Sequence, residues 1–348
     1  MSLILPLSDW PAQDQALWAA LTKQGSPFDD HGALAHLRMT SKETLINRYG
    51  RWLEWLRRHD PQALHEGPCD RVTLERLKAW RAALDHTAKM TQLMFVDGVL
   101  RIVTAADPDR DWTRHKRVLA ALKRLAQGGD PARKRGRILS SRVLLKVGTT
   151  LAGPQADATP NDLQRALKQR DGAIVALLAL MPMRLRALSS LEIGTSLYVT
   201  PDRISVTLSE EMTKTGVPWE ADVPEPAATV LRCYLEQARL FLMARGAHRH
   251  LRLWVEKKGA PMKQVSIRHR IAETTLAQTG IRIPAHFFRD AAATTLAREN
   301  SEAAQLIRPL LAHSGFETAE KHYIQAQTLD ASRAFMGVLK ARKKVGRV

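Results

Sequence analysis

Five separated segments in the second half of the chain offer a cation or a proton carrier: Met183-Arg184-Leu-Arg186, Met212-Thr-Lys214-Thr-Gly216, His286-Phe-Phe-Arg289, Leu311-Ala-His313-Ser-Gly315 and His322-Tyr323. Arginine and lysine hold the oxygens of phosphates and carboxylates, arginine through a planar fork of donors. Histidine exchanges protons near neutral pH, and a tyrosine hydroxyl can act as a nucleophile. His286 and Arg289 stand at i, i+3 on a helix expected to open after Pro284, so both project from one side. Taken singly, each segment also has a plainer reading. His-x-x-Arg can be a helix-surface pair, Arg184 a partner for a helix C-terminus, Lys214 a hairpin-tip charge and His313 a helix cap.

The charge balance says what such groups would meet. Among 348 residues there are 53 Lys and Arg against 35 Asp and Glu, a formal charge of +18, and the sequence pI is near 10.3. That excess suits nucleic acid, a membrane surface or solubility alone. A membrane-surface protein gathers its cations on one amphipathic helix. Here they recur along the whole length, with clusters at Arg133, Lys134, Arg135, Arg137 and Arg142 and in the tail Lys340, Arg342, Lys343, Lys344 and Arg347. A clamp around a polyanion would be charged in this way, with Arg48 and Arg51 of the N-terminal half as further candidate DNA contacts. Cys69 and Cys233 are too few for a disulfide framework and have no metal-ligand spacing, which fits a reducing compartment. The longest nearly unbroken apolar run, Ala173 to Met183, is 11 residues, where a membrane span needs about 20. The start around Asp9 and Pro11 does not read as a signal peptide, so a cytoplasmic protein with no membrane partner is expected.

The elements that must position these groups are mostly helical. Thr40-Ser-Lys-Glu43 reads as a capping box, and Leu45, Tyr49, Trp52, Leu53 and Leu56 follow on one face of a helix. Further helices are expected around Leu77 to Leu84, from Thr87 to Val103, and through Leu119, Leu122 and Leu125. Trp10, Trp18, Trp52, Trp55 and Trp80 then read as core, the alternative being platforms on which bases stack. Gly128 to Gly136 combines turn formers with charge, giving a helical domain over 1–127, a basic linker over 128–140 and a second domain over 141–348. In the second domain, helices are expected over Ser141–Ala152 and Asn161–Met181. Ile204, Val206 and Leu208 alternate as a strand, a polar turn runs from Ser209 to Gly216, and Val217–Val223 completes a small antiparallel sheet. Helices are expected from Ala227 to the end. His248-Arg-His250 could be a metal pair, but no Cys or carboxylate completes it, and a basic loop is the preferred reading.

Together and in this order, the five segments resemble the tyrosine recombinase (phage integrase) family over roughly Asn161 to Gln325. Pro182-Met-Arg184-Leu-Arg-Ala-Leu188 matches the family's first arginine box, Thr213-Lys214-Thr-Gly216 its hairpin lysine, and His286 and Arg289 its His-x-x-Arg box. Leu311-Ala-His313-Ser314 and Tyr323 match the Leu-Gly-His-Ser box and the downstream tyrosine. Arg186 competes with Arg184 for the first box, and the spacing to Leu188 and Leu191 favours Arg184. Three departures stand out. The acidic residue usual three positions after the first arginine is Ala187, the glycine before the histidine is Ala312, and His313 lies ten residues before Tyr323 where the family has nine.

The resemblance implies a mainly α fold with a small antiparallel sheet, in which a helical core-binding domain precedes an α+β catalytic domain. It implies site-specific cutting and rejoining of double-stranded DNA through a 3′-phosphotyrosyl bond. Arg184 and Arg289 would hold the scissile phosphate, Tyr323 would attack, His286 would accept a proton, Lys214 would protonate the leaving oxygen and His313 would hydrogen-bond the phosphate. It also implies a homotetramer on two DNA sites, exchange of C-terminal segments between protomers, and possible accessory DNA-bending or directionality proteins. No cofactor is expected: the chain has no Gly-x-x-x-x-Gly-Lys-Ser/Thr loop and no acidic cluster for magnesium. The rival readings are a type IB topoisomerase with similar residues, a non-catalytic DNA-binding protein of a mobile element that retains the fold, and a basic helical scaffold for RNA.

Overall fold

The computed structural model describes residues 3–26, 28, 31–126, 136–213 and 216–299. The chain divides into two compact units, Met1–Pro131 and Ala132–Val348. The middle of the expected linker, with Arg133, Lys134 and Arg135, lies outside the described residues, as does the expected C-terminal helix beyond Asp330.

The first unit contains α1 (Ala12–Thr22), α2 (Met39–His59), α3 (Leu74–Ala83), α4 (Lys89–Ala106) and α5 (Thr113–Ala126). The expected apolar face of α2 is its buried face: Tyr49, Trp52, Leu53 and Leu56 are fully enclosed, in one cluster with Val96, Val99 and Val103 of α4. The capping box does not form. Arg38 takes the N-cap position in an extended conformation, without a side-chain cap bond, and Thr40 is already helical. Trp10, Trp18, Trp52 and Trp80 are buried, and Trp55 stacks on Trp52 at 5.5 Å and on His59 at 5.2 Å. The tryptophans therefore serve packing. Within this core, Arg71 and Asp14 form an ion pair with no exposed surface on either side chain, at 2.8 Å. Tyr49 donates its hydroxyl proton to Asp14 Oδ1 at 2.7 Å, and burial, then the Asp14 charge, raises the Tyr49 pKa well above its ordinary value.

The second unit is built on α6 (Ser141–Ala152), a short α7 (Pro154–Asp157) and α8 (Asp162–Leu180). Ser140 caps α6 by accepting from the Val143 amide, and Asn161 caps α8 by accepting from the Gln164 amide at 2.9 Å. Residues 173–179 of α8 are buried all round, which makes it the central helix. The two helices cross closely because of two glycines: a Cβ on Gly148 would stand 2.5 Å from the Ala176 amide nitrogen, and one on Gly172 would stand 2.6 Å from that of Ala152.

After α8 come α9 (Leu185–Ser190) and an antiparallel sheet in the order β1 (Leu197–Val199), β2 (Ile204–Leu208) and β3 (Trp219–Asp222). Val206 pairs with Leu197 on one side and Ala221 on the other. Ile204, Val206 and Leu208 point into the core as their alternation predicts. Then α10 (Ala227–Cys233) runs through a π-turn at Tyr234–Ala238 into α11 (Arg239–Met243), and α12 (Gln264–Thr279) and α13 (Ala285–Glu299) follow. Helix is not continuous after Ala227. Residues 244–263 form an irregular segment that buries Leu253, Trp254 and Val255, bridges Arg252 to Glu192, and turns at Gly259 with φ +83°. Asp171 of α8 ties the unit together: it accepts from Arg170 at 2.8 and 2.9 Å and from Arg270 of α12 at 2.6 and 2.9 Å, while Arg170 also donates to the Val255 carbonyl at 3.0 Å.

Candidate active site

The first site residue is placed by the end of α8. Proline cannot donate an amide proton and disfavours helix in the residue before it, so Pro182 stops the helix and Met181 leaves it at φ −121°, ψ 78°. The chain re-enters helix with Arg184 as the extended N-cap of α9, whose carbonyl accepts from the Leu188 amide at 3.0 Å. Leu188 and Leu191 are fully buried and fix the phase of this turn. Arg184 is consequently half-buried and Arg186 exposed. Ala187 is buried, so a carboxylate at that position would be directed into the core.

The second pair stands on α13. Phe287, Phe288 and Ala291 bury one side of this helix, leaving the His286 ring exposed and Arg289 half-buried. Arg289 Nη1 donates to the Pro182 carbonyl at 2.8 Å, which joins the α8–α9 turn to α13. Burial, followed by the charge of Arg184, pushes the Arg289 guanidinium down to about 10, with Asp290 opposing. Burial also lowers Arg184. Two guanidiniums so placed disfavour each other in a poorly hydrated spot. An oxyanion bound there would relieve both effects. The His286 ring meets Phe287 edge-on at 4.6 Å and 82°.

Of the expected catalytic residues, the structure therefore brings together Arg184 and Arg289 and sets His286 one turn from Arg289. Lys214, His313 and Tyr323 lie outside the described residues. In sequence, Lys214 falls between β2 and β3. The described tyrosines are otherwise engaged. Tyr49 is buried in the first unit. Tyr234 is fully buried, its hydroxyl donating to the Leu253 carbonyl at 2.9 Å and accepting from the Val255 amide at 3.2 Å. Tyr198 donates to the Thr195 carbonyl at 2.9 Å.

The candidate DNA contacts are dispersed. Arg48 is half-buried between Gly98 and Asp97 of α4, 3.8 Å from the carboxylate. Arg51 sits over the Phe95 ring at 4.8 Å, Arg142 is exposed on the first turn of α6, and Arg137 is folded onto Phe287. His250 is half-buried with Nε2 3.2 Å from the Gly259 carbonyl, so it belongs to the packed segment and not to a solvated loop. Among the described residues no cluster of three or more His, Cys, Asp or Glu could hold a metal ion, and no helix is long and apolar enough to cross a membrane. Two partners were not found from the sequence: the buried Asp290, which favours the charged form of Arg289, and the Pro182 carbonyl, which orients it. Adjacency of Asp290 to the His-x-x-Arg pair was the available signal for the first.

The sequence profile of the phage integrase family matches residues 155–329. Among curated proteins the chain has no detectable relative in sequence. Among solved structures it is similar to the XerH site-specific recombinase bound to difH substrate in a pre-cleavage complex, at 13% identity and a TM-score of 0.55, covering 84% of this chain and 79% of that one. It is also similar to a lambda integrase (75–356) dimer bound to a COC′ core site, at 14% identity and a TM-score of 0.48, covering 84% of this chain and 90% of that one. The XerA recombinase aligns at 14% identity and a TM-score of 0.40, covering 87% and 94%.

Proposed function

Because the chain belongs to the phage integrase family and is a tyrosine recombinase, an enzyme that cleaves and rejoins DNA through a tyrosine-linked intermediate, we propose that Arg184, Lys214, His286, Arg289, His313 and Tyr323 form its active site. The observation that carries this assignment is the placement of Arg184 and Arg289 around one turn at Pro182, with both guanidiniums driven below their ordinary pKa. Such a pair is complementary to the pentacoordinate phosphorane, whose non-bridging oxygens carry more negative charge than the starting diester.

The proposed reaction balances without an external energy source. The Tyr323 oxygen attacks the scissile phosphorus as its phenolic proton passes to His286, a needed transfer because a phenol with pKa near 10 is a weak nucleophile at neutral pH. The bond from phosphorus to the 5′ oxygen breaks, and Lys214 supplies the proton that this oxygen takes up. His313 donates a hydrogen bond to the phosphate. The 3′-phosphotyrosyl ester conserves the energy of the broken bond, so attack by a 5′ hydroxyl reverses the sequence and rejoins the strand without ATP.

The finer features of the reading are proposals of the same kind: double-stranded DNA carrying specific sites as substrate, a homotetramer on two sites, accessory DNA-bending or directionality proteins, and a cytoplasmic role in the movement of mobile DNA. The first unit would serve as the core-binding half of a DNA clamp, with Arg133, Lys134, Arg135 and Arg142 of the basic segment against the backbone. The sequence after Asp330, with Ala331, Ala334, Phe335, Val338 and Leu339 on one helical face, would pack on a neighbouring protomer. The deciding experiment traps an SDS-resistant protein–DNA adduct on a nicked substrate. Tyr323→Phe is expected to bind the site as the unaltered protein does and to form no adduct; an adduct formed by Tyr323→Phe would remove the assignment.

A further inference from the structure

Arg137 belongs to the basic segment expected to meet DNA, yet its contacts point elsewhere. Its guanidinium carbon lies 5.2 Å from the centroid of the Phe287 ring, and its Nη2 donates to the Arg282 carbonyl at 2.8 Å. One side chain thus grips both the loop leading to Pro284 and the first turn of α13. Phe287 is buried, and its ring is the surface that the exposed His286 ring meets edge-on at 4.6 Å. Four residues after Arg137, the Ser141 amide donates to Thr295 Oγ1 at 3.1 Å, fastening the same stretch of chain further along α13.

We propose that Arg137 is a positioning residue for the cleavage step, holding the Phe287 ring, and through it the His286 imidazole, at the face where the phenolic proton must be received. A guanidinium suits this task because it is flat enough to lie on the ring while its edge donates to a carbonyl. A lysine keeps the charge and loses the simultaneous grip. This inference rests on the assignment of His286 as proton acceptor, so that residue is tested alongside.

The experiment compares Arg137→Gln, Arg137→Lys, Phe287→Leu, the Arg137→Gln/Phe287→Leu double variant and His286→Gln. Site affinity is measured over a salt series, and the single-turnover rate of adduct formation on a nicked substrate is followed with DNA saturated. Arg137→Gln and Arg137→Lys are expected to keep the affinity and the salt slope while slowing adduct formation by roughly 10-fold or more, since small misplacements of a reacting group cost up to about 10²-fold. The double variant should be no slower than Phe287→Leu alone, because the two side chains act as one unit. Retention of the melting temperature by Arg137→Lys excludes a folding effect as the cause of slow cleavage. A phosphate-contact role would give the opposite pattern and overturns the proposal: weaker binding of Arg137→Gln to all DNA, a salt slope lower by about 0.9, and restoration of both by lysine. Normal cleavage by Arg137→Gln beside impaired His286→Gln overturns the positioning role alone. Normal cleavage by His286→Gln overturns the base assignment and this inference with it.

Discussion

Arg289 donates Nη1–H to the carbonyl oxygen of Pro182 at 2.8 Å, across 107 residues of sequence. The acceptor lies just beyond the end of α8, where no amide of that helix can claim it. The same turn sets the backbone of Arg184 two residues later. The position of one of the two arginines proposed to hold the phosphate is thereby referenced to the other.

Replacing Arg184 or Arg289 with alanine should leave folding intact and slow adduct formation by about 10²–10³, the usual cost of losing one preorganised donor to an oxyanion. Arg186→Ala should cleave within a few-fold of the unaltered protein, because that side chain is exposed on α9. A dead Arg186→Ala beside an active Arg184→Ala would reverse the assignment.

DNA binding should be linked to a proton at Arg289. In the free protein this guanidinium is pushed down to about 10, and a phosphate oxyanion favours its charged form, so its pKa is higher in the complex. Between the two values the complex holds more protons than its free components. Affinity is therefore full below about pH 10 and falls as pH rises through it. Titrating the dissociation constant from about pH 8 upward should show this decline, and Arg289→Met, which has no proton to lose, should make it shallower, the remainder belonging to lysines with an ordinary pKa of about 10.4.

Lys214 as general acid can be separated from Lys214 as a simple cation. A substrate whose 5′ leaving oxygen is replaced by sulfur needs no proton, so Lys214→Ala should slow cleavage of the ordinary substrate far more than that of the sulfur analogue. Equal losses on both would leave only an electrostatic or positional role.

The first unit should depend strongly on Asp14. Removing one partner of a fully buried ion pair leaves the other charge without compensation, at a cost of about 3–5 kcal/mol. Asp14→Ala is expected to lower the unfolding free energy of this unit by that much, read from denaturant titration, and the double change Asp14→Leu/Arg71→Met should recover a large part of it. A small loss in the single variant would contradict the isolation of the pair from water.

Much of the fold was legible because local signals agreed. Helices were expected over Ser141–Ala152 and Asn161–Met181, and α6 and α8 run over Ser141–Ala152 and Asp162–Leu180, capped by Ser140 and Asn161. At Thr40 the pattern of a cap was present without the geometry: Arg38 had already turned the chain, and the hydroxyl fell inside the first turn. The segment around Leu253, Trp254 and Val255 was missed since a three-residue apolar run has no period, and only its pairing with the chain around Leu191 to Ile193 reveals its place. In the site, the order of the basic segments and the phase set by Leu188 and Leu191 pointed to Arg184. Asp290 is the chain neighbour of Arg289 and was within reach of the sequence, whereas the Pro182 carbonyl acts on Arg289 across 107 residues, and spacing in one sequence does not encode such a contact.

The long span between Pro182 and Arg289 has a consequence for the order of events during folding. Helices α6 and α8 are separated only by α7 and meet through a close glycine-mediated crossing, so their contact closes a short loop at small entropic cost and can form early. The contact that seats Arg289 closes a span of 107 residues at a larger entropic cost and is expected later. Pulse-labelled amide exchange should accordingly protect α6 and α8 before α13. A chain emerging from the ribosome would then pack α6 against α8 before it pairs the two arginines proposed to hold the phosphate.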